Sequence, residues 1–222
     1  RQRQMCIRDS AHKYNINRLI CCLSTCIFPD GIEINDNNLH LGPPHESNEG
    51  YAYAKRMMEV QCKLYRKQYG REYFCVIPTN VYGPGDNFDL EKAHVIPSLI
   101  NKFCNNKIVH VRGDGSALRQ FIYSEDLAKL LLWSYDNCKS IFACPFPEIS
   151  ILDVVAVICE ESEFNGEILF DLDYKSNGQY KKTVVPSWPL EEKPTNFREG
   201  IRKTIEWYRS QPSHSQVDQM LS

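Results

Sequence analysis

The chain has almost no net charge: 26 Lys and Arg against 28 Asp and Glu leave −2 over 222 residues. That balance gives no electrostatic reason for nucleic acid or an anionic membrane as partner. No apolar run approaches the roughly 20 residues needed to span a bilayer. The opening, Arg1 to Ser10, has no apolar core of the kind a secretory signal carries. Ten cysteines are present, yet there is no Cys-x-x-Cys pair and no Cys/His cluster at zinc spacing. Cys21, Cys22, Cys75, Cys138 and Cys159 sit instead in apolar runs or helix-like patterns, where a free thiol behaves as a small hydrophobe. This usage predicts a reducing, cytoplasmic setting and no metal. A Gly-x-Gly-x-x-Gly turn between a strand and a helix is also lacking: Gly113-Asp114-Gly115 comes late and has no third glycine.

What is present alternates between strand-like and helix-like segments. Arg18 to Leu23 is a short continuous apolar run, the pattern of a strand buried on both faces, and Pro29-Asp30-Gly31 reads as a turn. Ser47 or Asn48 can cap a helix that passes through Tyr51, Met58 and Tyr65 and stops at Gly70. Further strands are expected over 73–77, 107–111, 141–144 and 167–170. Further helices are expected from His94, from Ser124 (as cap, with Glu125 and Asp126 in the first turn), over 150–160 and over 196–208. Strands alternating with helices predict parallel βαβ units in an open α/β sheet.

Within that frame Tyr51 and Lys55 form a Tyr-x-x-x-Lys spacing, which puts both side chains on one helix face. An ammonium beside a phenol favours the phenolate, so the pair predicts a lowered tyrosine pKa suited to proton transfer at a carbonyl. Upstream, Ser24-Thr25-Cys26 closes the first apolar run. Taken singly, each candidate has a plainer reading. Cys26 could be packing, Ser24 a strand-end hydrogen-bonder, His94 a helix cap and Arg119 a solvated edge residue.

Their order along the chain resembles the extended short-chain dehydrogenase/reductase family. Ser24-Thr25-Cys26, Tyr51-x-x-x-Lys55, Pro78-Thr79-Asn80-Val81-Tyr82-Gly83-Pro84 and Arg119-Gln120-Phe121-Ile122-Tyr123 carry that likeness. Cys22 to Pro29, Asp86-Asn87-Phe88, His94-Val95-Ile96-Pro97 and Gly178-Gln179-Tyr180-Lys181-Lys182 narrow it to the GDP-L-fucose synthases, over roughly 11–210. The resemblance implies a Rossmann-like doubly wound parallel sheet with a smaller α/β substrate-binding domain. It implies conversion of GDP-4-keto-6-deoxy-D-mannose to GDP-L-fucose, by epimerisation at carbons 3 and 5 and then NADPH-dependent reduction at carbon 4. The catalytic set it implies is Ser24, Cys26, Tyr51, Lys55 and His94. Tyr51, Lys55, Pro78, Asn80, Val81 and His94 would meet NADPH, and Asn80, Lys102, Arg119 and Lys182 the GDP-sugar. A cytoplasmic homodimer, without nucleic acid or membrane, completes the implied picture.

The chain departs from the pattern in places. Lys102 stands where some relatives carry Arg, Arg112 precedes Gly113, and Asn177 precedes Gly178. The absent glycine-rich turn leads to the expectation that about three N-terminal βαβ units are missing from this chain. The fragment is then expected to hold NADPH poorly and to be inactive as a reductase. Residues 1–10 match nothing in the family and are expected to be foreign or disordered. The domain boundaries expected are 11–81 with 124–146 for the remaining NADP-binding part, 82–123 with 147–210 for the substrate part, and a tail over 211–222. Two other readings stay open: another nucleotide-sugar epimerase or dehydratase of this fold, and a non-catalytic nucleotide-sugar binder.

Overall fold

A computed structural model describes residues 2–173 and 183–212, with side chains from Ile7 onward. In chain order the helices are α1 (Gln2–Lys13), α2 (Glu49–Tyr69), α3 (Val95–Asn105), α4 (Ser124–Asn137), α5 (Ile151–Glu161) and α6 (Phe197–Ser210). The strands are β1 (Arg18–Cys22), β2 (Glu72–Pro78), β3 (Asn80–Tyr82), β4 (Ile108–Arg112), β5 (Leu118–Arg119), β6 (Phe121–Tyr123), β7 (Ile141–Ala143), β8 (Ile149–Ser150) and β9 (Glu167–Asp171). The chain divides into two compact units. The first comprises Arg1–Val81, Leu118–Glu148 and Ser176–Pro194; the second comprises Tyr82–Ala117, Ile149–Lys175 and Thr195–Ser222.

The first unit is built on a parallel sheet in the order β1-β2-β7. Leu19 lies opposite Tyr73, Cys21 opposite Cys75, and Val76 opposite Ile141. Parallel strands are joined by crossovers that place helices on the sheet faces, which explains why β1 and β2 are continuous apolar runs. Cys21, Leu23, Tyr73, Cys75 and Ile77 pack with Met58 and Cys62 of α2. Val76 and Ala143, with Ile20 and Ile141 against them, pack on the other side with Leu130, Leu127 and Leu131 of α4. The sheet is therefore doubly wound and Rossmann-like, as the family resemblance implies.

Helix α2 stops where glycine permits it. Gly70 is left-handed at φ 64°, and its N–H reaches back to the Arg66 and Tyr65 carbonyls. The expected cap at Ser124 is not realised. Ser124 is the first helical residue, Tyr123 occupies the cap position, and no side chain caps α4. Nor are residues 2–10 disordered: they form most of α1. Arg8 is buried and donates to Gln61 of α2, while Tyr65 Oη donates to Asp9 Oδ1 at 2.8 Å. A run with weak sequence signals is helical here because its polar side chains find partners on α2.

The second unit pairs β4 with β9 in parallel, Val109 opposite Ile168. Ile96, Leu99, Ile100 and Phe103 of α3, Val154, Val155 and Ile158 of α5, and Ile201 and Ile205 of α6 are its buried apolar faces. A capping box of Ser150 and Asp153 starts α5, where the sequence placed a helix.

Candidate functional site

The carboxyl end of β1 carries the first candidates. Ser24 caps a 3-10 turn, Thr25–Ile27, and accepts from the Cys26 N–H at 3.3 Å. Ile27 is fully buried beneath that turn, so Cys26 is held half-buried on a short, anchored segment. The opening turns of α2 bring up the other two. Tyr51 is 47% exposed, and Lys55 Nζ lies 5.8 Å from the centre of its ring. Lys55 donates to the Cys22 carbonyl at 2.7 Å. Ser24, Cys26, Tyr51 and Lys55 thus come together in the first unit, although they come from two separate stretches of sequence.

The electrostatics differ from the expectation. The Tyr51 phenol is pushed above its ordinary 10.0, chiefly by burial; Ser24 pulls it down by hydrogen bonding, and Cys26 pushes it up. The expected lowering by Lys55 is absent, because desolvation of the phenol by burial outweighs the other influences on it. Lys55 acts instead on Cys22, whose thiol is raised by burial and drawn back by the ammonium. A phenol with a raised pKa keeps its proton at neutrality, which suits a donor.

Arg119 belongs to the same unit. Burial lowers its pKa, and the nearby Cys26 raises it again, so its charge lies within electrostatic reach of that thiol. Pro78 is buried at the end of β2, and Val81 packs against the α4 side of the sheet. Exposed Asn80 is fixed twice to the Gln120 carbonyl, by its N–H at 3.0 Å and its Nδ2 at 2.8 Å.

His94 and Lys102 lie in the second unit. His94 is exposed at the start of α3 and makes no side-chain cap bond, so the plain capping role does not account for it. Lys102 donates to the His110 carbonyl at 2.8 Å; its pKa is lowered by burial and then by Arg112. Lys182, with the motif around it, lies outside the described residues.

Sequence reasoning passed over two residues. Gln120 is buried, and its side chain accepts from Val184 N at 2.7 Å and donates to the Val184 and Phe146 carbonyls at 2.8 and 3.2 Å. Arg56 is buried on the inner face of α2 and donates to the Ile27 and Gly42 carbonyls. Its position one turn after buried Ala52 was the readable signal. Among the described residues no group of acidic, histidine or cysteine side chains could hold a metal, and no helix is long and apolar enough to cross a membrane.

A doubly wound parallel sheet with a tyrosine and lysine at the mouth of its first strand defines a nucleotide-cofactor class of protein. The chain matches the NAD dependent epimerase/dehydratase family over residues 4–143 and belongs to it. The match includes most of the segment expected to lie outside the family. Similarity then concentrates on one group. A GDP-L-fucose synthase of Dictyostelium discoideum is 43% identical over 215 residues, 88% of this chain and 66% of the relative. A probable GDP-L-fucose synthase of Drosophila melanogaster is 38% identical over 224 residues, 91% of this chain and 70% of the relative. Among solved structures, a GDP-L-fucose synthetase of Naegleria fowleri bound to NADP aligns with a TM-score of 0.84 at 38% identity, over 91% of this chain and 66% of that one. Within its family the chain belongs with the GDP-L-fucose synthases. It spans about two thirds of the length of these curated relatives.

Proposed function

We propose that the chain acts in the conversion of GDP-4-keto-6-deoxy-D-mannose to GDP-L-fucose, with epimerisation at carbons 3 and 5 followed by reduction at carbon 4. The observation that carries this reading is the gathering of Ser24, Cys26, Tyr51 and Lys55 at the end of β1, in a chain whose relatives bear that name.

The chemistry follows from the ketone. Its carbonyl makes the C–H bonds at carbons 3 and 5 acidic. Cys26, as thiolate, takes the proton, and the C–H electron pair moves into the carbon 4 oxygen. Ser24 and Tyr51 hold that oxyanion by hydrogen bonds. His94, as imidazolium, returns a proton to the opposite face of the ring, which inverts the centre.

NADPH, when bound, supplies the hydride for carbon 4. Tyr51 gives its phenolic proton to the oxygen, and the positive charge of Lys55 offsets the phenolate left behind. The exposed face of Tyr51 and the three donors of the Lys55 ammonium fit a nicotinamide ribose: one donor is used on Cys22, and the others remain for hydroxyls. Pro78, Asn80, Val81 and His94 are assigned to the same cofactor end. The glycine-rich turn that would cradle a pyrophosphate does not occur in these 222 residues, so this chain by itself is expected to exchange protons and to bind NADPH weakly. Asn80, Lys102, Arg119 and Lys182 are assigned to the GDP-sugar, the cations to its diphosphate.

The reading extends to a cytoplasmic homodimer. The thiols described are all free, which supports a reducing compartment. Tyr53, Met57 and Leu64 are exposed apolar residues of α2, which supports a second copy there.

Incubation with GDP-4-keto-6-deoxy-D-mannose in D2O tests the proposal. Deuterium should enter carbons 3 and 5, and Cys26→Ser should slow its entry by about 100-fold. A simple 4-epimerase of this fold has no need of that second acid/base pair. Exchange indifferent to Cys26→Ser would favour it.

A further inference from the structure

Arg56 is a cation in the wrong place for a surface helix. It is 7% exposed, on the face of α2 that also buries Ala52, Met58 and Cys62. Burying a guanidinium is costly unless it is paired, and pairing normally means a carboxylate. No salt bridge reaches Arg56 among the described residues. Among the described residues its electrostatic partner is Tyr53, over whose ring the guanidinium stands at 5.6 Å. Its hydrogen bonds go to the backbone: Nε donates to the Ile27 carbonyl at 2.5 Å and Nη1 to the Gly42 carbonyl at 2.7 Å, while Nη2 has no partner among the described residues.

Those two carbonyls matter because of where they lie. Ile27 is the last residue of the 3-10 turn that presents Cys26, and its carbonyl points out of the turn's C-terminal end, where no backbone donor continues the helix. Gly42 lies on the loop that returns past it, next to the bridge between Pro29 and Pro44. One planar fork therefore fastens the Cys26 turn to the returning loop and both to α2, the helix that carries Tyr51 and Lys55.

We propose that Arg56 is a positioning residue for Cys26, fixing the thiol relative to Tyr51 for proton transfer at the sugar ring. The inference rests on the role proposed for Cys26. Ser24 holds the start of the turn through the Cys26 N–H, and Arg56 holds its end. A loose end would let the thiol move by about 1 Å, enough to cost on the order of 100-fold in a proton transfer. Arg56→Lys would keep the charge but lose the planar fork that spans the two carbonyls.

The test uses the 222-residue chain with Arg56→Met and Arg56→Lys beside Cys26→Ser. Deuterium incorporation at carbons 3 and 5 needs no hydride, so it can be followed without NADPH. Arg56→Met should lower the exchange kcat by about 10- to 100-fold with KM for the keto sugar within twofold of wild type, and Arg56→Lys should recover part of the loss. Alkylation of Cys26 by iodoacetamide, mapped by mass spectrometry, should quicken several-fold in Arg56→Met. It needs no turnover, so it also reads the positioning if Arg56→Met is poorly folded and only Arg56→Lys can be used. Unchanged exchange and unchanged alkylation in both variants would overturn the proposal. Exchange unaffected by Cys26→Ser, with Cys26 alkylation still sensitive to Arg56, would instead sink the catalytic role of Cys26 and leave the anchoring intact.

Discussion

Lys55 and Cys22 are joined by a donation of 2.7 Å from the ammonium to the backbone carbonyl, which ties the second turn of α2 to the end of β1. The bond fixes the lysine beside Tyr51 before any ligand arrives, yet desolvation of the phenol dominates and keeps its pKa raised. Tyr51 should therefore titrate above 10 in the unliganded chain. Spectrophotometric difference titration of the chain against Tyr51→Phe isolates it from the other tyrosines. A Tyr51 transition at or below pH 9 would contradict this assignment.

Tyr51→Phe removes the only proton donor assigned to the carbon 4 oxygen. Because the same phenol holds the carbon 4 oxyanion during enolisation, deuterium entry at carbons 3 and 5 should fall by about 10- to 1,000-fold, while the Kd for GDP-sugar stays within a few-fold. The comparison is made in D2O without NADPH.

Buried thiols predict the alkaline limit of stability. Cys62 is pushed up to about 12 from an ordinary 9.0, the net of a hydrogen bond with Cys21 that lowers it and a hydrogen bond with Cys75 plus burial that raise it. Cys144 is pushed up to about 12, mainly by burial. An unfolded chain can ionise these thiols above about pH 9, while the folded one cannot until near 12, so above pH 9 the unfolded state holds fewer protons and stability falls. Thermal melts from pH 8 to 10.5 should show a declining Tm, with a shallower decline in Cys62→Ala.

Gln120→Leu should destabilise the first unit by ~2–4 kcal/mol, because it leaves the Val184 N–H and two carbonyls without their buried partner. Urea denaturation reads the loss, and a change below 1 kcal/mol would mean that water replaces the amide.

In the second unit, Gly166 has no room for a side chain. A Cβ there would meet the Lys107 carbonyl oxygen at 2.1 Å and the Phe164 ring at 2.6 Å. Gly166→Ala should cost about 2–3 kcal/mol by forcing the start of β9 away from β4. The amide of Glu167, which donates to Lys107 O at 3.0 Å, should lose hydrogen-exchange protection first.

Much of this architecture was legible because the signals were local. The runs at β1 and β2 are apolar on both faces, Gly70 ends α2 at the residue that reads as its stop, and the Tyr51–Lys55 spacing is a one-turn pattern. The gathering of Ser24 and Cys26 with that pair was legible only through the family order of the motifs. What escaped depends on contacts far apart in sequence. Strands of two or three residues such as β3, β5 and β6 have too few positions to show a period. Helix α1 draws its order from Gln61 and Tyr65 on α2, more than fifty residues away. The pKa of Tyr51 turns on how far the fold desolvates the phenol, and no spacing rule reports that.

The two units are interleaved along the chain, and this shapes how the protein is made. A ribosome delivers β1, α2 and β2 before α3 and β4 of the other unit, and only after those β7, the third strand of the sheet β1-β2-β7. Until β7 emerges, the backbone groups of β2 that it will pair with, from Val76 to Pro78, face solvent. Pairings this distant in sequence form slowly. The nascent chain therefore passes through a stage in which an apolar strand waits for its neighbour, and co-translational chaperones would find their substrate there.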